Sequence, residues 1–372
     1  MNGRAFHPKV LTVSAQSVEP MHLLNILLLS LVSLLQGGST VNLVFFGDAM
    51  QHAPQLTAAR QGDGAYDYSP CFRYVEDDIR WADYAVVNLE CPLGGAPYTG
   101  YPAFSAPDSY AKQLSTSGFD LFLTANNHCL DRRDKGLRRT IATLDSMGIA
   151  HIGTYDNPMA RQRQMPFITT VKGIKFAMLD YTYGTNGIPV QGDAVVDLID
   201  RNLIARDLQL AREQGAQVLC VNLHWGIEYQ LQPVESQRSL ADFLIDQGVD
   251  LIIGGHPHVV EPMEMRHSDK HNKDVLLVYS LGNFISNQRD IDSRGGAMIK
   301  VSVTMVAGKP LVHDARYKLF FVQKPSYRGE NYVVIPENRP ELIRADSRSE
   351  FTRFMDRAHS LVMNHNINVP QE

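Results

Sequence analysis

No run of lysine or arginine occurs anywhere in this chain. Its 35 basic residues are outnumbered by 40 acidic ones, for a formal net charge of -5. That balance leaves no electrostatic footprint for nucleic acid, which is not expected as a partner. Cysteine is scarce too: Cys71, Cys91, Cys129 and Cys220 include no Cys-x-x-Cys pair, which excludes a zinc ribbon or thioredoxin motif. The four read as small buried thiols; in an oxidising compartment they could form disulfides whose pairing sequence does not fix. There is no fixed-period repeat and no low-complexity segment. Nor is there an uninterrupted apolar run of the about 20 residues that a bilayer span needs. The stretch "MHLLNILLLSLVSLLQGG" holds a shorter apolar segment, Leu23 to Leu35, just before Gln36-Gly37-Gly38-Ser39. Its length suits a signal-peptide core. No basic residue lies between Met21 and the run, and only Arg4 and Lys9 further upstream supply one. A buried amino-terminal helix is the alternative. No cysteine follows directly, so a lipoprotein anchor is not expected. Export is expected, to the periplasm or cell envelope, with the segment either cleaved or kept as an anchor.

What is present is an ordinary globular composition, 44% apolar and 20% charged over 372 residues. Short apolar runs alternate with amphipathic stretches: "VNLVFFGD", "YAVVNLE", "DLFLTANNH", "QVLCVNLHWG" and "VDLIIGGHPH" each read as a strand running into polar residues. Buried strands alternating with helices argue for an α/β fold. A helix is expected over 69–82, a hairpin turning at Lys172-Gly173, and later strands in "DVLLVYSLGNF", "GAMIKVSVTMV" and "YKLFFVQ". A helix over about 350–364 would close the chain. The expected organisation is an upstream segment, 1–40, one domain, 41–330, and a carboxy-terminal extension, 331–372.

Five strands end in side chains able to hold a metal: Asp48, Glu90, Asn127 with His128, His224, and His256 with His258. Open α/β sheets bind ligands beyond the carboxyl ends of their strands, so residues scattered in sequence converge there. Each alone has a plainer explanation: a turn for Gly47-Asp48, a loop for Asn126-Asn127, a packed or surface position for His224. Together they form a set. Two carboxylates, an amide oxygen and three imidazoles suit manganese, iron or zinc. Six ligands exceed what one open tetrahedral zinc needs. They suit two divalent ions about 3.5–4 Å apart, sharing a carboxylate.

The stretches "FFGDAM", "VVNLECPL", "LTANNHCLD", "VNLHWGIEY", "IIGGHPHVVEPME" and "VYSLGNFI" carry a resemblance. In this order they resemble the bacterial capsule-synthesis protein CapA family, associated with poly-gamma-glutamate capsules and similar to the calcineurin-like metallophosphoesterases. The resemblance implies a four-layer α/β/β/α sandwich with mixed sheets and a two-metal centre. It implies that Asp48, Glu90 and His258 hold one ion and that Glu90, Asn127, His224 and His256 hold the other, with Glu90 bridging. It also implies that His128 acts as proton donor or oxyanion contact. Asp131, three residues on, would orient His128. One departure stands out: the superfamily's first motif is Asp-x-His, and this chain has Asp48-Ala49-Met50, with Gln51 and His52 as the nearby candidates to compensate.

Trp225, Glu228 and Tyr229 are expected to shape a substrate pocket, with packing or capping as the alternative. Asn283 would position a ligand or cap its strand. Arg132, beside Arg133, would meet an anionic substrate or form a solvated face. The loop "YTGYPAFSAPDSY" would form a pocket wall or a rigid connection. Two activities compete: a metal-dependent hydrolase of a phosphoester or gamma-glutamyl amide, and a non-catalytic factor that binds and exports an anionic polymer. A structural protein with a vestigial site is a weaker third. The expected partners are an anionic polymer or phosphorylated substrate and membrane-bound capsule-synthesis proteins.

Overall fold

Strand β1 (Thr40–Ala49) sets out the layers by its period of two. Val41, Leu43 and Phe45 face one core while Val44 and Phe46 face another. The computed structural model describes residues 39–372; the apolar segment Leu23 to Leu35 lies outside the described residues. Further strands follow in chain order: β2 (Tyr84–Leu89), β3 (Leu121–Leu123), β4 (Ala150–Ile152), β5 (Thr154–Tyr155), β6 (Phe167–Val171), β7 (Ile174–Thr182) and β8 (Val195–Val196). After them come β9 (Val218–His224), β10 (Leu251–Gly255), β11 (Met263–Ser268), β12 (Lys273–Val278), β13 (Asn283–Ile285), β14 (Gly295–Val306), β15 (Lys309–Gln323) and β16 (Val333–Pro336).

Two mixed sheets result. The first runs β16-β15-β14-β1-β2-β3-β4, with β13 joined to the end of β1; the second runs β11-β12-β10-β9-β7-β6. The first is parallel over β1-β2-β3-β4 and antiparallel over the β14-β15-β16 flank; the second is parallel over β12-β10-β9-β7 and antiparallel at both edges. Leu43, Phe45 and Val86 of the first sheet meet Phe176, Met178, Leu251 and Ile253 of the second in a shared inner core. On the outer face of the first sheet, Val44, Phe46 and Val87 pack on Phe72, Ile79, Tyr110 and Leu114, from the helices Ser69–Phe72, Glu76–Arg80 and Asp108–Ser117. Outside the second, Leu179, Val221 and Ile252 pack on the helices Arg201–Glu213 and Glu235–Asp246. The order is helix, sheet, sheet, helix: the four-layer α/β/β/α sandwich.

An aromatic cluster fixes the floor beneath the site. Phe46 lies 4.6 Å from Phe284 and 5.2 Å from Phe119, ring to ring. Phe46 is two residues before Asp48, and Phe284 follows Asn283, which pairs with Asp48 across β1 and β13. Truncating a buried phenylalanine of this kind costs about 3–5 kcal/mol, so the end of β1 is firmly anchored.

The hairpin at Lys172-Gly173 forms as β6 and β7. The stretch expected as one helix over 69–82 divides into Ser69–Phe72 and Glu76–Arg80. The break turns Tyr74 toward the inner core while Phe72 and Val75 stay in the outer one. The closing helix runs Arg348–His365. Residues 331–372, expected as an extension, contribute edge strand β16 and that helix, whose Phe354 and Val362 enter the inner core. All four cysteines are buried free thiols. Among the described residues no helix is long and apolar enough to cross a membrane.

Candidate metal centre

The parallel register brings the carboxyl ends of β1, β2, β3, β9 and β10 to one edge of the sandwich, and each delivers its polar residue there. Asp48 is the penultimate residue of β1, Glu90 follows β2, and His224 ends β9. His256 and His258 follow β10 in a loop that closes over Asp48, with His256 N donating to Asp48 Oδ2 at 3.2 Å. Glycine is required there: a Cβ at Gly254 would meet Tyr279 O and Trp225 Nε1, and one at Gly255 would lie 2.8 Å from Asp48 Oδ1. Both histidines hold positive φ, 98° for His256 and 60° for His258. That left-handed region costs a side-chain-bearing residue about 1–3 kcal/mol and clusters at functional sites.

Two groups of ligand atoms assemble, Asp48–Glu90–His258 and Glu90–His224–His256, each within 4.8 Å of one another and every residue buried. Glu90 belongs to both. Its Oε1 is 3.5 Å from His224 Nε2 and 3.8 Å from His258 Nε2. Asn127 joins the second group: its Oδ1 lies 2.9 Å from His224 Nε2 while its Nδ2 donates to Asn186 Oδ1 at 3.2 Å. The amide oxygen is thereby turned inward. His258 Nδ1 approaches Asp48 Oδ2 at 3.2 Å.

The donor set fits divalent cations. Glu90 is fully buried, and neither of its carboxylate oxygens has a hydrogen-bond partner. Burial, and then Asp48 beside it, push its pKa well above the ordinary carboxylate range. An unpaired buried carboxylate is costly, and a cation removes the cost. Burial holds the imidazoles of His224 and His256 neutral, down to about 3 and about 2, the form that binds metal. For Asp48 burial works the other way, yet His258 and His224 outweigh it and bring the carboxyl to about 2. Burial likewise opposes charge on His258, but Glu90 and Asp48 raise it to about 9. His128 Nδ1 sits 2.8 Å from Asp131 Oδ2. Burial disfavours its charged form, and the Asp131 contact with the charge of Glu90 more than offsets this, so its pKa is raised. Asp131 is itself held by Phe104 N at 2.8 Å.

Sequence reasoning missed the residues that orient these candidate ligands. Asn88 Nδ2 donates to Asp48 Oδ1 at 2.8 Å and lies 3.3 Å from His224 Nδ1. Asn126 Nδ2 in turn donates to Asn88 Oδ1 at 3.1 Å and Leu89 O at 3.0 Å. Asp180, buried on β7, accepts from Thr124 N at 3.1 Å and Ala125 N at 2.9 Å, fixing the turn that presents Asn127 and His128. The available signal was a single amide inside the apolar run Tyr84–Leu89. Partners that orient ligands are worth about 10–100-fold in metal affinity. Asn88→Leu is therefore expected to weaken manganese binding by about that factor in calorimetric titration.

The expected substrate-facing residues divide. Glu228 and Tyr229 are exposed at the mouth, with the Tyr229 ring 6.2 Å from His258. Trp225 is buried, its indole donating to Tyr279 O at 2.8 Å. Asn283 is buried too, its amide nitrogen donating to Gln288 Oε1 at 2.8 Å and Ser293 O at 3.0 Å. Arg132 is half-buried, with Nη1 3.4 Å from Thr99 Oγ1 in the expected wall loop. Met50 packs into the outer apolar core. His52 Nδ1 accepts from Asn287 N at 3.3 Å, and its backbone N donates to Gln55 Oε1 at 2.8 Å. Gln51 is fully buried with both amide atoms unpartnered. Tyr183, unforeseen, lays its ring 4.5 Å from His256.

Known proteins resemble this chain in sequence and in fold. The family described as bacterial capsule synthesis protein PGA_cap matches residues 42–288, the span that carries every candidate ligand position above. The chain is similar to a capsule biosynthesis protein CapA of Bacillus anthracis, 26% identical over 240 residues, covering 62% of this chain and 56% of the relative. It is similar to a PGA biosynthesis protein CapA of Bacillus subtilis (strain 168), 26% identical over 269 residues, covering 69% of this chain and 66% of the relative. The matches thus span less than two thirds of either relative. Among solved structures, the NAD nucleotidase (NadN) of Haemophilus influenzae aligns over 89% of this chain and 64% of its own, at TM-score 0.50 and 13% identity. At that identity the likeness is one of fold. With most of its sandwich inside the matched span, the chain belongs to the bacterial capsule synthesis protein PGA_cap family.

Proposed function

We propose that this protein is a metal-dependent hydrolase of the cell envelope that cleaves a phosphoester or a gamma-glutamyl amide in capsule-polymer synthesis. The observation that carries the reading is Glu90: a buried carboxylate without a hydrogen bond, common to two groups of metal-capable residues. Asp48, Glu90 and His258 would hold one divalent ion, and Glu90, Asn127, His224 and His256 a second, of manganese, iron or zinc. Bound there, such ions lower the pKa of water and offset charge on a transferring phosphoryl or acyl group. His128 does the proton work. With Nδ1 engaged by Asp131, its Nε2 is the atom left to protonate the leaving group. Phe104 packs edge-on at 4.7 Å and keeps the ring in place. Tyr229 and Arg132 contact an anionic substrate at the mouth. Export through the amino-terminal segment, and work beside membrane-bound capsule-synthesis proteins, complete the reading.

Manganese-loaded protein assayed on aryl phosphates and on poly-gamma-glutamate is expected to hydrolyse one of them. Inactivity on both, with the metal shown to be bound, overturns the hydrolase. The relatives' descriptions name biosynthesis, which favours a second reading, an exported factor that holds the polymer without cutting it. That reading requires His128→Ala to retain both polymer affinity and function.

A further inference from the structure

We infer that Glu228 is a metal ligand, completing from the open face the position held by Asp48, Glu90 and His258. The inference rests on the two-ion reading above and concerns one residue within it. The two ligand sets are unequal: the ion at Glu90, Asn127, His224 and His256 has four protein donors, and the other has three. Of the nearby residues, Met50 lies in the apolar core and His52 Nδ1 accepts from Asn287 N, which leaves the buried, unpartnered amide of Gln51 as the one rival to be tested.

Glu228 is already in place. One of its carboxylate oxygens lies within 4.8 Å of ring nitrogens of both His256 and His258, in a third ligand-capable group. Its segment is stitched to the histidine loop on both sides, by Trp225 N to Gly255 O at 3.1 Å and Tyr229 N to Pro257 O at 2.8 Å. Tyr229 holds φ of 64°, so a strained residue directly follows Glu228. The carboxylate has no cationic partner: among the described residues no lysine or arginine pairs with it within 4.0 Å. A lone carboxylate facing solvent beside the centre would repel the anionic substrate proposed above. As a ligand it neutralises cationic charge instead, and its exposure lets it swing onto an ion without disturbing the core.

The test is manganese titration of the full chain, followed by calorimetry and by electron paramagnetic resonance, which reports coupling between neighbouring ions. Wild type is expected to bind two ions and give a coupled signal. Glu228→Gln should keep one ion at wild-type affinity, bind the other at least about tenfold more weakly, and give an uncoupled signal at one equivalent. Gln51→Leu, which removes the rival amide, should bind both as wild type does. If Glu228→Gln retains two ions at unchanged affinity, or Gln51→Leu loses one instead, the assignment is wrong. If wild type binds no manganese, the two-ion reading itself falls and this assignment with it. Metal-free melting of each variant confirms that the fold is kept.

Discussion

His128→Asn is expected to lower kcat about 10²–10⁴-fold on whichever substrate the wild type cleaves, the range for losing a positioned general acid. It should leave the number of bound manganese ions unchanged. The separation follows from geometry. His128 belongs to neither of the two buried ligand groups, and its Nδ1 is held by Asp131 Oδ2 at 2.8 Å, which is held in turn by the backbone of Phe104. That chain aims a single imidazole nitrogen without contributing to ion affinity. Asp131→Asn should give a smaller loss, because it leaves the imidazole present but poorly oriented. Single-turnover kinetics on metal-loaded protein check both variants. A His128→Asn variant that loses manganese along with activity would show that His128 is a ligand and not an acid.

Glu90→Gln has the second large effect, on metal and stability together. Both ligand groups pass through Glu90, so the variant should lose both ions. An ion present at about 100 times its Kd stabilises a fold by about 2.7 kcal/mol. Manganese should therefore raise the melting temperature of wild type and leave Glu90→Gln unmoved. Without metal the order changes. The wild type then carries a buried carboxylate with no hydrogen bond, a cost that a neutral amide of the same shape reduces. Metal-free Glu90→Gln is thus expected to melt no lower than metal-free wild type. Thermal unfolding with and without manganese reads both effects, and a large loss of metal-free stability would make Glu90 a structural residue.

Much of the fold was legible because each parallel strand is a short apolar run ending in a polar residue. "VNLVFFGD" and "VDLIIGGHPH" state both the strand and what it presents. Sheet order was not legible: β14 pairs with β1 from more than 250 residues away, and no local pattern encodes that choice. The one long helix expected over 69–82 failed for a similar reason, since Tyr74 answers to a different core from Phe72 and Val75. At the site, charged and imidazole side chains at strand ends drew attention, whereas Asn88 did not. Its meaning lies in Asp48 and His224, partners 40 and 136 positions away. The left-handed backbone at His256 and His258 was hidden as well, because it depends on how closely β10 approaches Asp48. Trp225 looked like a pocket residue by type, but its indole is committed to Tyr279 O.

The central claim is a two-ion centre built around Glu90. Elemental analysis of wild-type protein, stripped of metal and reloaded with manganese, tests it most directly. Two equivalents per chain, falling below one in Glu90→Gln, is the predicted result. A single equivalent in wild type, or two that survive loss of Glu90, would contradict it.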